Sequence, residues 1–150
     1  MLGFWKTISQ TINSVITQNF PNLEHIIIDG GFLDNTCEII NKKMSHVDKF
    51  ISEPDNGIYD AMNKGIDLAT GDVIGFLNSD DFYFSSNVLT QIGKLFSEEN
   101  IDSCYGDLCY FALKNIEKIS VTGSQVIMLE DLLLAVGSHR TQPSLWKDQF

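Results

Sequence analysis

Two uninterrupted apolar runs, Ile26-Ile27-Ile28 and Val73-Ile74-Gly75-Phe76-Leu77, each stop at carboxylates: Asp29 after the first, Asn78-Ser79-Asp80-Asp81 after the second. Runs of this kind, without polar alternation, read as strands covered on both faces, the arrangement of a parallel sheet in an α/β protein. Parallel strands present their carboxyl ends on one edge, where open α/β sheets take their ligands. Asp80 and Asp81, side by side, raise each other's proton affinity, and a hard divalent cation with oxygen ligands relieves that repulsion. An ordinary Asp-rich turn is the competing reading. The surrounding elements decide between them.

Helices and strands alternate along the chain. Ile8, Ile12, Val15 and Ile16 recur at helical spacing over residues 6–18, and Pro21 in Asn19-Phe20-Pro21-Asn22 ends that helix. A strand runs to Asp29-Gly30-Gly31, and Asn35 with Glu38 predicts an N-capped helix. Residues 47–52 form a third short element, expected as a strand. The turn Glu53-Pro54-Asp55-Asn56-Gly57 opens a helix whose apolar stripe is Ile58, Ala61, Met62, Gly65, Ile66 and Ala69, with Gly71 expected as its C-terminal cap. After the acidic corner, a helix over 87–98 carries Val88, Leu89, Ile92, Leu95 and Phe96. Strands are expected around 103–113 and 118–121, a short helix over 128–135, and a polar turn over 137–143. This pattern predicts α/β architecture with a mostly parallel sheet and flanking helices. No linker or repeat divides residues 1–150, so one domain is expected.

Composition narrows the function. The net charge of −10 argues against sequence-independent nucleic-acid binding, which needs a basic footprint, but is compatible with a nucleotide held through a metal. Cys37, Cys104 and Cys109 are odd in number and lack metal-site spacing, so they read as reduced packing residues of a cytoplasmic protein. No apolar run reaches membrane-spanning length, which leaves peripheral association open. A P-loop is missing, and Asp55-Asn56-Gly57 lacks the ligand spacing of an EF-hand.

Taken together, Ile27-Ile28-Asp29-Gly30-Gly31, the stretch from Ser52 to Gly65, and Ala69-Thr70-Gly71-Asp72 leading into Phe76-Leu77-Asn78-Ser79-Asp80-Asp81 resemble the family 2 glycosyltransferases. The likeness runs from about Lys6 to Tyr110, and is greatest to bacterial transferases of exopolysaccharide, colanic acid or lipopolysaccharide assembly. It implies the GT-A fold, a nucleotide-diphospho-sugar transferase sandwich, and transfer of sugar from a nucleotide-sugar donor to a glycan or lipid-linked acceptor at the inner face of the membrane. It further implies a divalent metal, Mn or Mg, on the donor diphosphate. Asp80 corresponds to the metal ligand, Asp81 to a second ligand or positioning group, Asn78 to a ribose or diphosphate contact, and Asp29 to the nucleobase partner. Asp55, Asn56 and Asn63 fall in the stretch that lines the nucleotide pocket. Charge developing on the leaving diphosphate suits a metal, and an inverting displacement adds a carboxylate base.

Three positions depart from the family pattern. Relatives begin with a central strand, whereas only Met1–Trp5 precede the first helix here; the expectation is a missing first strand, with pairing across the gap or a changed strand order. Phe32-Leu33 stands where relatives carry Ser-Thr, and packing is favoured for Phe32 over closure against the nucleotide. Gln142-Pro143-Ser144 resembles a stretch that precedes the candidate base, which is therefore expected beyond Phe150. His139 and Arg140 could face donor phosphates or form a solvated turn, and Asp107 either lies near the donor sugar or belongs to a hairpin. His25 and His46 read as core-edge or surface groups, and Glu53 and Asp60 as simple capping or solvent-facing charges. The rival readings are a truncated remnant that binds nucleotide or a partner without turnover, and a different magnesium-dependent nucleotide enzyme.

Overall fold

A computed structural model describes residues 6–98, 101–106, 108–112, 115–123 and 135–136. Asp107, His139, Arg140, the Gln142-Pro143-Ser144 stretch and most of the helix expected over 128–135 lie outside them. The elements in chain order are α1 (Ile8–Ile16), β1 (Leu23–Glu24), β2 (Ile26–Asp29), α2 (Thr36–Asn41), a 3-10 turn (Met44–His46), β3 (Lys49–Ser52), α3 (Ile58–Leu68), β4 (Val73–Ile74), α4 (Val88–Glu98), β5 (Leu108–Ala112), β6 (Asn115–Gly123) and β7 (Ala135–Val136). Among the described residues no helix is long and apolar enough to cross a membrane.

Strands β2 and β3 pair in parallel, Ile26 opposite Lys49 through Asp29 opposite Ser52, with α2 in the crossover and α3 packed on β2. This is α/β architecture with a parallel sheet and flanking helices. Strand β7 runs between β1 and β4, antiparallel to both. Two strands antiparallel to a common neighbour are parallel to each other, so β1 and β4 share a direction. Because β2 prolongs β1 after the single residue His25, the chain leaves β2, β3 and β4 toward one edge. Strands β5 and β6 form a separate antiparallel hairpin, with register shifts around Phe111.

Helix α1 is the centre of the packing because it presents apolar residues in two directions. Ile8 and Ile12 meet Ile40 of α2, with Ile27 and Phe50 of the parallel pair beside them. Val15 meets Leu89 of α4, flanked by Phe20, Leu23, Val73, Leu77 and Tyr83. Each fully buried side chain, such as Ile12 or Leu89, contributes about 1.5–3 kcal/mol.

Several expectations are corrected. The apolar run into the acidic corner is a strand only at Val73–Ile74, and all of 73–77 is half-buried rather than covered on both faces. Asn35 does precede α2, but its side chain makes no capping bond; Asp34 Oδ1 accepts the Thr36 N–H at 2.9 Å instead. Helix α3 ends at Ala69 in extended backbone, so Gly71 is not a left-handed cap. Ala135, placed by its apolar neighbours in a helix, lies in β7.

Candidate functional site

The edge to which β2, β3 and β4 point carries three loops. The first begins at Asp29, which is buried at the end of β2. Its Oδ2 accepts from Ser52 Oγ at 2.6 Å, from the Gly31 N–H at 3.2 Å and from the Cys37 thiol at 3.6 Å. The parallel register makes this possible by setting Ser52 directly opposite Asp29. All three described bonds fall on one carboxylate oxygen, fixing the group while Oδ1 keeps its acceptor capacity. Cys37 thus serves the carboxylate and does more than fill space.

The second loop packs on the first. A Cβ on Gly30 would lie 2.6 Å from Asp55 Oδ2 and 3.2 Å from the Phe32 ring, so this close approach depends on glycine. Gly31 has φ +73, and its missing Cβ faces the backbone of Glu53 and Pro54. Asp55 Oδ1 accepts the Gly57 N–H at 2.9 Å. Asp60, in the first turn of α3, accepts the Asn56 N–H at 3.0 Å, and this bond together with Lys64 holds its carboxyl below the usual range. Lys64 pairs with Glu53 at 3.0 Å and Asp60 at 3.6 Å, and the bond to Glu53 raises its ammonium above the ordinary value. Asp60 therefore ties the turn before α3 to the helix without capping it, since Gly57 is the N-cap and no side chain bonds there, and Glu53 is the partner of Lys64. Asn63 is exposed on α3, one turn further along.

The third loop is the acidic corner. The Asp81 N–H donates to the Asn78 carbonyl at 3.1 Å and closes a turn over 78–81; Asn78 Nδ2 lies 3.5 Å from Asp81 Oδ2. Asp80 and Asp81 are exposed. Among the described residues no group of three or more His, Cys, Asp and Glu gathers to enclose a metal. Two carboxylates and an amide oxygen on an open turn nevertheless fit Mg2+ or Mn2+, which keep most of their water and bind through one or two carboxylates plus substrate phosphates. Asp80 and Asp81 would hold such an ion, and it would neutralise charge developing on a leaving diphosphate.

Phe32 is 61% exposed and Leu33 wholly so, which overturns the expectation of packing. Both stand at the mouth of the Asp29 loop. His25 is buried and His46 exposed, the His25 ring 3.1 Å from the His46 carbonyl; neither lies on a site loop. Sequence reasoning missed Thr11, Ser14 and Gln18. These polar residues recur at i, i+3 and i+7 beside the apolar positions of α1, and that periodicity was the signal available. Thr11 Oγ1 lies 3.0 Å from the Ser79 carbonyl and 2.7 Å from that of Asp81. Ser14 Oγ accepts the Tyr83 N–H at 3.1 Å. Gln18 Nε2 donates to the Ser85 carbonyl at 2.7 Å, and its Oε1 accepts the Leu89 N–H at 3.1 Å.

Strands that deliver a fixed carboxylate, a glycine-dependent turn and an acidic corner to one edge define an α/β protein with a polar ligand edge. The particular kind follows from comparison: residues 3–121 match the model of glycosyl transferase family 2, and the chain belongs to that family, whose fold is GT-A. It is similar to a PGL/p-HBAD biosynthesis glycosyltransferase of Mycobacterium bovis, 34% identical over 65% of this chain and 40% of the relative. An uncharacterized glycosyltransferase of Mycobacterium tuberculosis is 39% identical over 56% and 32% respectively. Another, from Haemophilus influenzae, is 32% identical over 80% and 49%. The chain thus spans about a third to a half of these relatives' length. No solved structure matches.

Proposed function

We propose that the chain forms the donor-binding part of a glycosyltransferase that moves a sugar from a nucleotide-sugar to a glycan or lipid-linked acceptor in bacterial surface polysaccharide synthesis of the exopolysaccharide or colanic acid kind. The carrying observation is the common direction of β2, β3 and β4, which brings the Asp29, Asp55 and Asp80–Asp81 loops to one edge. In this reading Asp29 takes the nucleobase through its remaining carboxylate oxygen. Asp55, Asn56 and Asn63 line the nucleotide pocket, Asn78 contacts ribose or diphosphate, and Asp80 and Asp81 share a divalent Mn or Mg ion with the diphosphate. Displacement at the sugar is inverting, with a carboxylate as its base. The work takes place in the cytoplasm at the inner face of the membrane, reached by peripheral association, and residues 1–150 act as one domain.

Calorimetric titration with UDP, GDP and dTDP, with and without manganese, tests the reading. One nucleotide is expected to bind only with metal, and Asp80→Ala is expected to weaken it by about tenfold or more. Metal-independent binding, or binding indifferent to Asp80→Ala, overturns the assignment.

A further inference from the structure

We infer that Thr11, seconded by Ser14 one turn along α1, is a positioning residue for the Asp80–Asp81 turn, setting the presentation of its carboxylates to a cation and diphosphate; this rests on the function proposed above. Asp80 has little to hold it in place by itself. It is exposed, and its turn is closed by the backbone bond from Asp81 to Asn78, with a long contact between their side chains. The turn is instead fastened from outside. The carbonyls of Ser79 and Asp81, the residues on either side of Asp80, converge on the single hydroxyl of Thr11, both nearer to it than the Thr7 carbonyl of its own helix at 3.5 Å. Just past the turn, the Tyr83 N–H ends on Ser14 Oγ, while the Ser14 hydroxyl proton goes to the Thr11 carbonyl at 2.7 Å. Thr11 and Ser14 are both buried on α1, so their hydroxyls are held in fixed positions beneath the turn.

The arrangement has a chemical purpose that packing alone does not explain. Hydrophobic contacts already join α1 to this region through Val15, Leu77, Tyr83 and Leu89, and such contacts tolerate sliding. A hydroxyl shared by two carbonyls orients the Ser79–Asp80 and Asp81–Phe82 peptide planes, which bracket the two carboxylate-bearing residues. A carboxylate on a preset backbone needs no reordering when the cation arrives, and that saving appears as affinity. The adjoining side of α1 is rooted in the core around Ile8, Ile12 and Ile40. Thr11 therefore refers the acidic corner to the same rigid body that carries the β2–β3 pair and Asp29.

The test compares wild type with Thr11→Val, which keeps the shape and deletes the hydroxyl, Thr11→Ser, which restores it, and Ile12→Ala, which loosens the same helix where it packs on Ile40. Manganese is titrated, by electron paramagnetic resonance, with whichever of UDP, GDP and dTDP the wild type binds most tightly. Amide hydrogen exchange at Asp81 is followed without metal or nucleotide. Thr11→Val is expected to weaken manganese binding by about tenfold, with Thr11→Ser within about twofold of wild type. Asp81 exchange is expected to speed up by about tenfold in Thr11→Val, whereas Ile12→Ala lowers the melting temperature with manganese affinity held within about twofold. If Thr11→Val does not fold, Thr11→Cys, a weaker donor of similar bulk, takes its place. Unchanged manganese affinity in Thr11→Val, or equal losses in Thr11→Val and Ile12→Ala, overturns the positioning role alone. Absence of metal-dependent nucleotide binding in the wild type overturns the proposed function, and this inference with it.

Discussion

Tyr83 places a hydroxyl where it has no hydrogen-bond partner among the described residues, although its ring packs well in the cluster of Val15 and Leu89. Burial pushes its phenol far above the ordinary range, so the group stays neutral and unpaired at any working pH. A buried donor without a partner costs about 1–3 kcal/mol. Tyr83→Phe keeps the ring and the backbone bond to Ser14, and is expected to raise the unfolding free energy by about 1 kcal/mol. Urea unfolding of the two proteins measures this; a loss of stability would show that the hydroxyl has a partner. Phe32 makes the reverse point. Its aromatic character argues for burial, but the ring only reaches over the bare Cα of Gly30 and is otherwise left in solvent.

Between β1 and β2, His25 interrupts two strands and turns inward. Its burial depresses the imidazole pKa below 6.5, and the smaller opposing effects of the His46 carbonyl and Asp48 do not restore it. Above pH 6.5 folded and unfolded chains both hold a neutral ring, so the group adds no pH dependence. As the pH falls below that value the unfolded chain takes up a proton that the folded chain resists, and stability drops until the folded pKa is reached. Melting temperature is therefore expected to fall between pH 7.5 and pH 5.5, and His25→Gln is expected to flatten the profile there. Glu24 acts in a lower window. Burial would raise its pKa, but bonds from Lys49 and Thr70 outweigh this and lower it, so its contribution is complete above pH 4.5 and lost below. Elements of this kind were legible where periodicity was strong: α1, α3, α4 and the β2–β3 pair all follow the apolar pattern. The polar stripe of α1 was not, because Thr11, Ser14 and Gln18 are buried against partners nearly 70 residues away, and helix periodicity is silent about the far side of a contact.

For the molecule as a whole, a net charge of −10 sets the electrostatic background. Exposed Asp80, Asp81 and Asn56 sit in a field that repels further negative charge, and the compact state carries that repulsion as a stability cost. Raising sodium chloride from about 20 mM to about 300 mM shortens the screening length to well under 10 Å, so the melting temperature is expected to rise by a few degrees. A flat or falling profile would show that local ion pairs such as Lys49–Glu24 dominate instead. Architecture was legible at this scale from alternation alone, and the acidic edge from where the apolar runs stop. Strand β7 was not: it is two residues long, follows a leucine-rich stretch that suits a helix, and takes its place only through partners more than 60 positions earlier. That late partner has a consequence for biosynthesis. Ile74 leaves the ribosome 61 residues before Ala135, an interval of about 3–12 s at ordinary elongation rates. Throughout it the backbone edges of β1 and β4 lack the partner that later joins them, in a nascent chain whose first half already holds its apolar helices. A chaperone that shields strand edges has its window there.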